Sequence, residues 1–72
     1  MERLRVNGRE VELSQPTSLP DYLQGLGVDS RAIAVEHNGE IIQRDVYGDC
    51  LLRDGDVVEI VRMVGGGMSA GA

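Results

Sequence analysis

From Val57 to Val64 the sequence is a largely β-branched run with no turn signal, and it passes directly into Gly65-Gly66-Gly67. Val and Ile pack well on a pleated surface, so the run is predicted to form one long strand. A triple glycine cannot fill a core or hold one conformation unaided, because it has no side chain and loses the most backbone entropy on ordering. It can enter a narrow slot. From Val61 to Gly67 an extended chain reaches roughly 23–25 Å at about 3.3–3.6 Å per residue. The remainder of the chain is therefore expected to be a small support for an anchored strand. Residues 1–64 are read as the folded domain and 65–72 as a flexible glycine tail in which Met68–Ala72 follow the glycines.

Seventy-two residues make one domain, and a domain of this size buries only about 60% of its unfolded surface, which leaves no room for an enclosed active site. There is no Trp and no Phe, and the aromatic content rests on Tyr22 and Tyr47, so the core must be aliphatic. The net charge of -5 and sequence pI near 4.6 repel a phosphate backbone and argue against nucleic-acid binding. Docking on a basic protein partner fits better. The single thiol, Cys50, cannot close an internal disulfide, which suits a reducing compartment. No apolar run approaches the ~20 residues of a membrane span, and a soluble cytoplasmic protein is expected.

Along the chain, Leu4 and Val6 alternate with Arg3 and Arg5, Asn7-Gly8 offers the positive-φ pair of a tight hairpin, and Val11 and Leu13 alternate with Glu10 and Glu12. Ser14 to Thr17 reads as loop. Ser18 with Asp21 three residues on matches a capping box, and Pro20 is tolerated in a first helical turn. Leu19, Tyr22, Leu23 and Leu26 follow at i, i+3, i+4 and i+7, so one apolar stripe is predicted on a helix of about three turns that Gly27 ends. Ala32–His37 reads as a strand, Asn38-Gly39 as a turn, Glu40–Ile42 as a brief strand, 44–48 as a single helical or 3₁₀ turn, Leu51-Leu52 as a short strand and Asp54-Gly55-Asp56 as a turn.

One helix covering a small mixed sheet of four to five strands is an α+β arrangement of the β-grasp type. In it the first and last strands lie side by side in mid-sheet, which would account for the apolar character of Val57–Val64. A period of two puts Val58, Ile60 and Arg62 on one face and Val57, Glu59, Val61 and Met63 on the other. If the first set faces the helix, Val61 and Met63 are left on the open face as a docking patch beside the tail.

Three further residues invite chemistry and are read otherwise. Cys50, with only Arg53 as a nearby basic residue, is expected to be a small buried apolar side chain. His37 has no second histidine, and with Glu36 and Glu40 it makes no metal set, so it is expected as a solvated strand-end residue. Asp54-Gly55-Asp56 lacks the longer ligand array of a calcium loop. No metal site and no bound cofactor are expected.

The segments Leu52-x-Asp54-Gly55-Asp56-Val57-Val58-Glu59-Ile60, Val64-Gly65-Gly66-Gly67, Ala34-Val35-x-x-Asn38-Gly39 and Leu23-x-x-Leu26-Gly27, in that spacing, resemble the ThiS family of sulfur carriers used in thiazole synthesis. The resemblance runs through nearly the whole chain to Gly67. It implies a ubiquitin-like β-grasp protein, a co-substrate and not an enzyme. The C-terminal glycine carboxylate of such a protein is adenylated by an E1-like (ThiF-type) enzyme that consumes ATP, and is converted to a thiocarboxylate. The sulfur then passes to a ThiG-type thiazole synthase. On this pattern Gly67 carries the reactive carboxylate, and Gly65, Gly66, Val61 and Met63 contact the partners. The departure is Met68–Ala72, which a processing peptidase would have to remove. Alternatives are a carrier for molybdopterin or amino-acid synthesis, a ubiquitin-like modifier, or a β-grasp interaction module with an inert tail.

Overall fold

The computed structural model describes residues 1–63. The N-terminal hairpin joins β1 (Glu2–Val6) to β2 (Arg9–Leu13), in register from Glu2 opposite Leu13 to Val6 opposite Arg9. Its turn is Asn7-Gly8, with φ of 52° and 80°. These are left-handed values that Asn and Gly tolerate best. β3 is only Thr17–Ser18, and it leads straight into α1 (Leu19–Leu26). A 3₁₀ turn at Ser30–Ala32 precedes β4 (Ile33–His37), Asn38-Gly39 turns into β5 (Glu40–Ile42), and a second 3₁₀ segment spans Arg44–Asp49. β6 (Leu51–Leu52) and β7 (Val57–Arg62) complete the described chain.

Five strands form the main sheet in the order β2-β1-β7-β4-β5. β1 and β7 pair in parallel and every other neighbour pair is antiparallel. The first and last of the described strands thus lie side by side in mid-sheet, with the one α-helix of the described residues on one face: the expected α+β architecture. A second, two-stranded sheet pairs β3 with β6, Thr17 opposite Leu52. Thr17, expected in a loop, is a strand residue; a two-residue strand shows no period in the sequence. This small sheet fixes the start of α1, whose Leu19 N–H donates to the Cys50 carbonyl at 2.8 Å.

α1 begins at Ser18, whose Oγ accepts from the Asp21 N–H at 3.3 Å. It stops at Gly27, which takes φ 76° and closes the last turn through its N–H to Gln24. The helix has eight residues, about two turns at 3.6 residues each and not the three expected. Leu19 and Leu23 are buried, Tyr22 is half-buried, and Leu26 is exposed. The stripe is therefore shorter than its spacing suggested, since Leu26 lies in the terminal turn beyond the sheet's cover.

The core is Leu4, Val6, Leu19, Leu23, Ile33, Val35, Tyr47, Cys50, Leu52 and Val58. Apart from Tyr47 and Cys50 it is wholly aliphatic. The second 3₁₀ segment supplies Tyr47, which is buried in this core. β7 contributes asymmetrically. Val58 is fully buried against the helix side, but Val57 and Val61 on the other face are 45% and 57% exposed. Central placement therefore does not explain the strand's apolar character, because only one of its faces is covered.

Candidate docking face and tail exit

β7 ends at Arg62, and Met63 continues its course by donating its N–H to the Ala32 carbonyl at 2.8 Å. Met63 is the last described residue, at this end of the mid-sheet strand. Gly65, Gly66, Gly67 and the Met68–Ala72 extension lie outside the described residues, as does the expected domain boundary at Val64.

The open face beside Met63 can be built from the pairing register. Val61 lies opposite Ala34 on β4, Glu59 opposite Glu36, and Glu36 in turn opposite Ile41 on β5. Residues directly opposite share a face, so Val61, Ala34 and Ile41 form one apolar surface, and Met63 extends it. Val61, Met63 and Ile41 are 57%, 49% and 67% exposed. The expected assignment of Val61 and Met63 to the open face holds, and Ile41 is an addition that sequence reading missed. Its signal was available: Ile41-Ile42 must send one of its two side chains outward.

The other half of the same face differs in kind. There β1 and β2 present Arg3 opposite Glu12 and Arg5 opposite Glu10, with Arg3 bonded to Glu12 at 2.9 Å and to Glu10 at 3.0 Å. A charge-paired half and an apolar half meet along β7. Carboxylates Glu36 and Glu59 lie opposite one another within the apolar half.

His37 is a correction. It is not a solvated strand-end residue: its side chain is 21% exposed, and Nε2 lies 2.8 Å from Asp56 Oδ2. An ionised carboxylate only accepts, so Nε2 carries the proton in this bond. Asp56 also accepts from the Arg53 N–H at 3.0 Å and from Asn38 Nδ2 at 3.2 Å. Burial by itself raises this carboxyl, but the bonds from His37, Arg53 and Asn38 outweigh it and hold Asp56 below its ordinary value of 3.8. The Asp54-Gly55-Asp56 turn is thus a joint, with Gly55 at φ 88° and Asp54 Oδ1 accepting from the Arg3 N–H at 2.8 Å.

Cys50 is buried as expected. Burial, and then the charge of Asp56, push its thiol up from the ordinary range. That is the reverse of what a sulfur-handling nucleophile requires. Among the described residues no three His, Cys, Asp or Glu side chains are placed to hold a metal ion, and no helix is long and apolar enough to cross a membrane.

The ThiS family model matches residues 2–67. The sulfur carrier protein ThiS of Bacillus subtilis is 38% identical over 65 residues, spanning 89% of this chain and 98% of that protein. The crystal structure of the thiamine biosynthesis protein ThiS from Geobacter metallireducens superposes with a TM-score of 0.79 at 31% identity, covering 90% of this chain and 99% of that one. A thiazole synthase of Paramagnetospirillum magneticum is 43% identical over 65 residues. The chain spans only 20% of the length of that synthase, and 20% of the thiazole synthase of Magnetococcus marinus that it also matches. With a described fold of β-grasp order and a family match over nearly its whole length, the chain belongs to the ThiS family.

Proposed function

We propose that this protein is a sulfur carrier for thiazole formation in thiamine biosynthesis, acting as a co-substrate and not as a catalyst. The observation that carries the reading is that the family match ends at Gly67, the last glycine of a run that follows, in the sequence, the central strand of the sheet. An α-carboxylate is ionised at pH 7 and is a poor electrophile until a leaving group is attached. An E1-like enzyme supplies that group: a carboxylate oxygen of Gly67 attacks the α-phosphate of ATP, pyrophosphate departs, and sulfide (HS⁻) from a sulfur donor then attacks the acyl carbon, displacing AMP and leaving a thiocarboxylate. The carrier's part is delivery. Gly65, Gly66 and Gly67 have no Cβ to obstruct a narrow slot, while Val61 and Met63 dock on the activating enzyme.

Thiazole synthase is the proposed acceptor. In two relatives named for that activity, a segment similar to this chain makes up a fifth of the polypeptide, and joining carrier and synthase in one chain is sensible when the two work in sequence. The single protonated thiol, Cys50, suits a cytoplasmic setting. Met68–Ala72 lie beyond the family match, and a peptidase that cleaves after Gly67 exposes the reactive carboxylate. The test is intact mass after incubating the form that ends at Gly67 with an activating enzyme, ATP and a sulfur donor. A shift equal to exchange of one oxygen for sulfur, discharged on adding thiazole synthase and its substrates, supports the reading. An unchanged mass with an authentic partner contradicts it.

A further inference from the structure

β7 is held on its two sides over unequal lengths. Towards β4 the backbone bonds reach the Met63 N–H. Towards β1 the rungs run from the Arg5 N–H to the Asp56 carbonyl and from the Asn7 N–H to the Val58 carbonyl, both 2.9 Å. The chain then turns away at Asn7-Gly8. In a continued parallel ladder the next rung would join the Ile60 N–H to the Asn7 carbonyl. The side chain makes it instead: the Ile60 N–H donates to Asn7 Oδ1 at 2.7 Å, and Asn7 Nδ2 donates to the Ile60 carbonyl at 3.2 Å. A primary amide offers the acceptor and donor of a peptide unit, so Asn7 serves as one more residue of β1.

We infer that Asn7 is a positioning residue for the C-terminal segment, closing the last rung on the β1 side and so fixing the course of Val61–Met63 as they leave the sheet. The inference rests on the carrier reading above, in which those residues dock and lead the glycines into a partner. Without the rung, β7 beyond Val58 would be tied along one edge only, and singly tied backbone opens more readily. A tilt of about 10° at Ile60 moves Met63 by close to 2 Å, at about 3.3 Å per residue over three residues. A displacement of ~1 Å at a reacting group can cost about 100-fold in rate.

The far end of β7 provides the control. There Asn38 does related work: its backbone N–H donates to the Val57 carbonyl and its side-chain Oδ1 accepts from the Val57 N–H, both at 2.8 Å, while its Nδ2 donates to Asp56 Oδ1 at 3.2 Å. Asn7→Gly and Asn38→Gly each keep a turn at φ near 50° that glycine adopts freely, and each delete one amide. Amide exchange and residual dipolar couplings would be measured for residues 60–63, with kcat and KM for adenylation of the form ending at Gly67. Asn7→Gly should speed exchange at Ile60 by about 5–10-fold, alter the couplings of Val61–Met63 and lower kcat on the order of tenfold. Asn38→Gly should leave those couplings and kcat at wild-type values despite a similar loss of stability. Asn7→Asp, which keeps the acceptor for Ile60, should restore most of the exchange protection, and it carries the test if Asn7→Gly does not fold. Wild-type couplings in Asn7→Gly, or equal loss of kcat in both glycine variants, overturn the inference. If the wild-type form ending at Gly67 is not adenylated at all, the carrier reading fails, and the couplings still decide whether Asn7 directs the strand.

Discussion

His37 Nε2 and Asp56 Oδ2 lie 2.8 Å apart, which ties the end of β4 to the residue just before β7. The carboxylate gathers three donors, from His37, Asn38 and the Arg53 backbone, so two stretches of chain, 37–38 and 53–56, meet at one side chain that is 11% exposed. Removing it leaves those donors partly buried without a partner, and Asp56→Ala should cost about 2–4 kcal/mol.

The same joint predicts a pH dependence. Asp56 is held below its ordinary 3.8 in the folded state, so its contribution is present above that value and is lost as pH falls through the lower, folded one. In thermal melts of the wild type and Asp56→Asn, the stability gap should shrink below about pH 4. A gap that stays the same down to pH 2 would mean that the ionised carboxylate is not the stabilising form.

Cys50 should be inert. Its thiol is buried and raised, so alkylation at pH 7 should be more than about tenfold slower than for a free cysteine peptide, becoming fast only in denaturant. Cys50→Ala should cost no more than about 2 kcal/mol and leave thiocarboxylate formation intact. Loss of sulfur loading in a folded Cys50→Ala protein would give this thiol a role that its surroundings do not suggest.

Met63→Asp tests the docking face. Met63 is 49% exposed, so the substitution should change stability by no more than about 0.5 kcal/mol. It should weaken binding to the activating enzyme by at least tenfold, about 1.4 kcal/mol. Unchanged affinity would move the contact elsewhere, to the charged half of the sheet around Arg3 and Arg5.

Locally coded features were legible in the sequence. Alternation in β1 and β2, the Ser18 cap, the Gly27 stop and both Asn-Gly turns each depend on residues a few positions apart, and each was found where the spacing put it. What escaped notice was set by distant chain. Thr17 becomes a strand only because Leu52 lies beside it, and His37 loses its solvent only because Asp56 folds back onto it. Asn7 and Asn38 were readable as turn residues, but their second use depends on β7 passing between them, which no local pattern encodes. Of the candidate site, the face carrying Val61 and Met63 followed from a period of two. Ile41 joined it only through the register of β5.

The central claim is that Gly67 is the residue on which sulfur is carried. Adenylation needs a free carboxylate at that position. In the chain ending at Ala72 the carboxylate belongs to a residue with a methyl group, five residues further on. The most direct measurement is pyrophosphate release, with acyl-adenylate mass, when an E1-like enzyme and ATP are mixed with the chain ending at Gly67 or with the chain ending at Ala72. Only the shorter form should react, because even a ~1 Å misplacement of the reacting group can cost about 100-fold. Equal adenylation of both forms, or of neither with an authentic partner, would contradict the account.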